Sequence, residues 1–231
     1  MLGILAISTP ILPMSYIYAI YKHHLGTLEF RANRLLGLYS FSALSITSYL
    51  VALAVFIPVS GWCADRFGAL TVFRASIGVF IAASIGCAMA GDLPTLVAAR
   101  FGQGVGGAMM VPVGRLIILR VVAKSEMLRA MAWLTVPALI APVIGPPLGG
   151  FITTYYDWRW LFWLNVPIGL AGIVLATFII PQVRADFVPP LDAVGFVLCG
   201  AGLSSLIFGL TLLGREVLPE WAAMSLVAGG G

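Results

Sequence analysis

Apolar runs of about twenty residues recur along this chain, and that feature excludes almost every fold it could otherwise adopt. A helix rises about 1.5 Å per residue, so each run matches a hydrocarbon layer about 30 Å thick. Lipid offers the backbone amides no partner, so every run must close its hydrogen bonds internally as a helix. Composition matters here only as a check: 61% of the residues are hydrophobic and 10% charged, and the mean hydropathy is +1.04. A water-soluble core cannot absorb that much apolar surface. The predicted fold class is an all-α integral membrane protein, a bundle of six to seven transmembrane helices.

Seven runs are read, roughly Leu2 to Tyr21, Leu35 to Trp62, Leu70 to Ala90, Leu93 to Leu119, Ala130 to Ile152, Trp160 to Ile180 and Ala193 to Leu213. The first carries no positive flank and no A-x-A-like cleavage site, so it is not read as a signal peptide. Pro10 and Pro13 interrupt it. The chain stops at Gly231 just after a further apolar run opens at Trp221, which reads as an element cut short.

The formal charge of +4 does not point to nucleic acid, because the basic residues stand singly between apolar runs. They orient the chain instead. Arg66 and Arg74, then Arg115, Arg120, Lys124 and Arg129, then Arg184 all fall on one side, whereas beyond residue 47 the other side holds Arg159 and Arg215. The positive-inside bias therefore puts the connections near 66, 122 and 185 in the cytoplasm. Lys22, Arg31 and Arg34 contradict that assignment, which sets the region before residue 47 apart. Tyr155, Tyr156, Trp158, Trp160 and Trp163 cluster opposite the basic loops and read as an interfacial aromatic belt.

Enzyme chemistry is not expected. The sequence has no G-x-S-x-G elbow, no H-E-x-x-H helix and no paired intramembrane carboxylates. His23 and His24 read as an interfacial pair rather than ligands or bases, and Cys63, Cys87 and Cys199 as packing residues without metal spacing. No cofactor and no metal is expected.

Three stretches carry candidate function. Gly61, Asp65, Arg66 and Gly68 form a compact cytoplasmic turn in which glycine permits a tight reversal, Asp65 can face a helix N-terminus, and Arg66 can pair with an acid or with helix-terminal carbonyls. An ordinary charged loop would look the same. Arg100, Gln103 and Gly104 lie in the fourth run. A guanidinium inside a bilayer is costly unless it faces a cavity or a partner, so Arg100 reads either as a transport residue or as a side chain that snorkels or braces helices. Gly102, Gly104 and Gly107 spell G-x-G-x-x-G, but no strand precedes them. Small residues at 102 and 106 and at 104 and 108 read instead as helix-packing stripes. In the fifth run Pro142, Gly145, Pro146, Gly149 and Gly150 predict a kinked, thin-walled helix able to rock against a neighbour, or else a structural or re-entrant kink.

Gly61 to Gly68 resembles the G-x-x-x-D-R-x-G loop of the major facilitator superfamily, and Arg100, Gln103, Gly104 and Gly106 are similar to its fourth-helix motif. The proline-glycine stretch resembles its antiporter motif, with Ala141 where the family has an earlier glycine. The run Asp157, Trp158, Arg159, Trp160, Phe162, Asn165, Pro167 is similar to the connection in fourteen-span drug:proton antiporters of the EmrB/QacA type; its residues read as structural. Leu70 and Thr71 stand where the family has a basic pair. The resemblance covers residues 47 to 228.

It implies a major facilitator-type bundle in three parts: an atypical N-terminal region at 1–46, an N-terminal transporter bundle at 47–180, and at 181–231 a cytoplasmic linker, an extra central helix and the start of a truncated one. It also implies proton-coupled efflux of small amphipathic or cationic compounds by alternating access, with Asp65 and Arg66 at the cytoplasmic gate and Arg100 in coupling. The expected partners are the lipid bilayer, substrate and protons, and a missing C-terminal half, with no nucleic acid. Two alternatives stay open: a non-transporting fragment or assembly partner, and an uptake symporter for another substrate class.

Overall fold

The computed structural model describes residues 28–184, 187–212 and 220–230, and for 28–42, 212 and 220–223 only the backbone path. The described helices are α1 (Leu28–Phe67), α2 (Ala69–Met89), α3 (Leu93–Val121), α4 (Met127–Tyr155), α5 (Trp160–Trp163), α6 (Asn165–Ile179), α7 (Ala193–Leu212) and α8 (Glu220–Gly229). Six stretches are long and apolar enough to span a membrane: Ala43–Phe67, Ala69–Met89, Leu93–Val121, Met127–Tyr155, Trp160–Ile179 and Ala193–Thr211. They correspond to six of the seven predicted runs. The remaining run, Leu2 to Tyr21, lies outside the described residues, as do His23, His24, Lys22 and Arg215.

Two boundaries differ from expectation. α1 begins at Leu28 and persists to Phe67, so the stretch expected as a compact turn is mostly the last turns of a helix. Gly68 alone makes the reversal, at φ 91°, a conformation that costs an L side chain about 1–2 kcal/mol. The sixth run is broken at Leu164 into α5 and α6. Pro167 has no amide hydrogen, so it is tolerated in the first turn of α6 but cannot carry the hydrogen-bond ladder back into α5.

α3 is the axis of the bundle, flanked by α1 and α2. Its small residues show why. Gly104 faces α1 so closely that a Cβ would stand 2.6 Å from the Tyr49 carbonyl oxygen, while on another side Gly106 meets α2, with 2.7 Å to the Ser76 carbonyl oxygen. Gly102 faces Ala83 on α2, one turn from Gly106. The glycine string thus serves two helix interfaces, one stripe for each, as close backbone approach in lipid requires. α5 and α6 pack on α2, α7 on α1, and α8 on α7.

Two apolar clusters close the ends. Ala64, Ala69, Val72, Val113 and Ile117 pack at the end that carries the basic connections, and Cys87, Ala88, Ala90, Leu96 and Phe162 at the other. Asp92 starts α3 by accepting a hydrogen bond from the Thr95 amide at 2.8 Å, which holds its carboxyl below the ordinary value. Cys63 and Cys87 pack as expected, but Cys199 is exposed on α7.

Candidate functional site

A polar cluster sits where α1, α2, α3 and α6 converge around Arg100. Arg100 lies seven residues into α3, roughly 10 Å along the helix from its outer end. Its Nη1 donates to Gln103 Oε1 at 3.1 Å. The guanidinium stands 5.7 Å from the Tyr49 ring and 5.1 Å from the Phe162 ring, within cation–π range of both. Gln103 is the node. Its Oε1 accepts from Arg100 and from Cys87 Sγ, the latter at 3.5 Å, while its Nε2 donates to Ser84 Oγ at 2.6 Å. The Arg100 donor fixes which end of the amide faces which way, since a guanidinium can only donate.

Ser84, fully buried, carries the network onward. It donates to the Phe80 carbonyl at 2.8 Å and accepts from Asn165 Nδ2 at 3.4 Å, so one hydroxyl links α3 to α6 through α2. Among the described residues Arg100 Nε has no hydrogen-bond partner, and the ion pairs are Arg120 with Asp65 and Arg159 with Asp157. The cluster is therefore a cation held by dipoles and rings without a carboxylate among those residues. Such a charge interacts strongly with any anion or proton donor brought beside it, because the low-dielectric surroundings screen little.

At the end that carries the basic connections Asp65 pairs with Arg120 of α3, Nη2 to Oδ1 at 2.6 Å, and not with Arg66, which is exposed. The two side chains are about a quarter exposed, so the pair stabilises by no more than about 1 kcal/mol. Gly61 faces open space, and Gly68 is buried. The pairing was hidden in the sequence because its partners are separated by a whole hairpin of helices.

The proline-glycine stretch stays helical through Pro142, Pro146 and Pro147. Among the motif residues Gly149 is buried, Pro142, Gly145 and Gly150 are half-buried, and Pro146 is exposed. A Cβ at Gly150 would meet nothing within 4 Å. The structure thus does not bring this motif to Arg100 or to Asp65; among the described residues α4 touches only α3 and α5, and lightly.

The aromatic connection proves more specific than a belt. Arg159 pairs with Asp157 at 3.6 Å, lies 4.8 Å over Trp158, and donates through Nη2 to the Ala90 carbonyl at 3.1 Å, capping the C-terminal end of α2. Trp158 packs edge-on against Phe162 rather than lying outward, whereas Tyr155, Tyr156, Trp160 and Trp163 are exposed. Sequence reasoning missed Tyr49, Ser84, Cys87 and Phe162 as parts of the arginine cluster, and treated Asn165 as structural. A serine in an apolar run gives no signal of its own; only the register between α2 and α3 reveals it.

Comparison with known proteins agrees with this architecture. A protein of Klebsiella pneumoniae subsp. pneumoniae, provisionally named multidrug resistance protein MdtD, is 41% identical over 186 residues, 80% of this chain and 39% of that protein. Relatives of the same name from Salmonella paratyphi B and Salmonella newport are 38% identical over 185 residues, again 80% of this chain and 39% of theirs. The chain thus spans about two fifths of the length of the curated relatives it matches. The match to the Major Facilitator Superfamily runs over residues 2–230, wider than the stretch from 47 to 228 that carries the motifs. With that match and six apolar spans, the chain belongs to the Major Facilitator Superfamily and is a multi-pass protein of the cell inner (plasma) membrane.

Proposed function

We propose that this chain forms one helical domain of a proton-coupled exporter of small amphipathic or cationic compounds that works by alternating access. The observation that carries the reading is Arg100, a guanidinium set inside the bundle on Gln103 and two rings with its Nε unpartnered. A charge kept there at a cost of several kcal/mol is poised to respond to a proton or a charged substrate. The relatives' printed name, multidrug resistance protein, favours drug-like substrates. Asp65 with Arg66 would serve the cytoplasmic gate, and Gly145, Pro146, Gly149 and Gly150 the face on which a second domain rocks.

The test is proton-driven dye loading of everted vesicles bearing the full-length gene product, the orientation in which an exporter pumps into the lumen. Arg100→Ala and Arg100→Lys should abolish proton-driven efflux while leaving the protein in the membrane. Undiminished proton-driven loading by Arg100→Ala would reject the coupling role, and dye carried out of the everted vesicles instead would favour the symporter class.

A second reading has its own support: that this chain acts only with a partner domain. α4 carries its motif on a helix whose apolar residues are largely exposed, including Leu139, Val143, Ile144 and Phe151, and the relatives are more than twice as long. Co-expression with the remaining domain of such a relative should then restore efflux that this chain alone lacks.

A further inference from the structure

We infer that residues 180–184, directly after α6, form a cytoplasmic strap that caps α2, holds the Gly61–Gly68 motif against α6, and must release for the gate to move. The functional half of this inference rests on the transport reading above. The physical half rests on contacts of four kinds.

The first is a cap. α2 begins at Ala69 with no side-chain cap, since Gly68 precedes it, and the first amides of any helix lack internal acceptors. The Ala69 amide donates instead to the Val183 carbonyl at 3.0 Å, so the strap's backbone supplies what the local sequence cannot. The second is a side-chain tie: Gln182 Nε2 donates to Thr71 Oγ1 at 2.9 Å. Thr71 occupies one of the two positions where the resembled family has a basic pair, and Leu70 at the other is buried. The strap thus grips the turn at the place where that charge is missing.

The third is a steric fit. A Cβ at Gly68 would overlap the Gln182 amide and stand 3.2 Å from Arg184 Nε, so the strap's side chains close directly over a glycine that its positive φ requires. The fourth is apolar. Ile180 packs against the cluster of Ala64, Ala69, Val72, Val113 and Ile117, which seats the start of the strap on α1, α2 and α3 together. Further along, Trp62 Nε1 donates to the Pro189 carbonyl at 3.0 Å, a second tie from α1 to the chain beyond α6.

Together these contacts make the cytoplasmic ends of α1, α2 and α6 a single block. Any motion that separates the motif turn from α6 must first break the Val183 cap and the Gln182 tie. Gln182 is thus a positioning residue acting through the turn, and the strap sets the pace at which the turn can shift.

The test uses the full-length protein in everted vesicles, with Cys63 and Cys199 replaced by alanine and the fully buried Cys87 kept. Thr71→Cys with Gln182→Cys is treated with a short bifunctional thiol reagent and compared with Thr135→Cys plus Gln182→Cys, a pair that the structure does not join. A docked strap bridges the first pair at least about tenfold faster, because proximity raises the effective concentration of the second thiol. The bridge should also slow dye efflux at least about tenfold, reversibly on cleaving the reagent. Equal bridging of the two pairs would overturn the strap. Selective bridging with undiminished efflux would overturn its release as a step in the cycle. An unbridged parent that moves no dye would count against the transport reading, and the bridging comparison would still decide whether the strap is docked.

Discussion

Gln103 is the residue on which the arginine cluster depends, because it answers two donors with one oxygen and a serine with its amide. Gln103→Leu keeps the volume but strands Arg100 Nη1 in a buried setting, where a lost hydrogen bond to a charged group costs about 1.5–3 kcal/mol. Thermal unfolding in detergent should fall accordingly, and a melting temperature equal to the parent's would show that the network adds nothing. Ser84→Ala should lower stability less, since Arg100 and Gln103 keep each other. Asp92 offers a pH test. Its folded carboxyl titrates below the ordinary 3.8, chiefly through the Thr95 amide, so its contribution is present above 3.8 and fades as pH falls through the lower folded value. Relative to the parent, Asp92→Ala should be destabilised at about pH 6, and that difference should shrink near pH 3 in the same melts.

Among the elements, α3 and α4 use small residues in opposite ways. The glycines of α3 are already filled by neighbours, so Gly106→Ala pushes a methyl into the α2 backbone and should destabilise the bundle by about 1–3 kcal/mol. At Gly150 a methyl meets open space within this chain and gains helix propensity of up to about 1 kcal/mol. Gly150→Ala should therefore leave folding intact or improved, yet impair efflux if a second domain packs there. Melting curves and dye efflux on both variants separate the cases; unchanged efflux by Gly150→Ala would remove the basis for that interface. The Asp65–Arg120 pair belongs to this scale too, since it fastens α1 to α3. Asp65→Arg should weaken dye efflux, and adding Arg120→Asp should recover part of it, as a swapped pair does and an independent motif aspartate would not.

For the whole molecule, the membrane is the solvent, and an apolar exterior is the expected surface. Even so, α4 differs from its neighbours in meeting so little of the bundle. The described helices form a core of α1, α2, α3, α5 and α6 around Arg100, with α7 laid on α1, α8 on α7, and α4 at the margin. A truncated variant ending after the strap, at residue 192, should therefore retain the arginine cluster, because no cluster residue lies on α7 or α8. Protection of an Arg100→Cys thiol from membrane-impermeant maleimide, matched between that variant and the parent, checks this; a gain in labelling would mean that α7 shields the cluster.

The amino-acid sequence alone determined that this chain crosses a membrane as helices, where six of its spans lie, and that Arg100 falls inside a span whose small residues form packing stripes. Those conclusions follow from run length, from the cost of charge in lipid and from helical period, all of which are local. Tertiary structure decided which residues meet. Ser84, Asn165, Phe162 and Tyr49 come from four other helices to surround Arg100 and Gln103, Asp65 takes Arg120 instead of Arg66, and the strap after α6 caps α2. Register between helices set those encounters, and register depends on close packing among elements far apart along the chain, which no window of sequence contains.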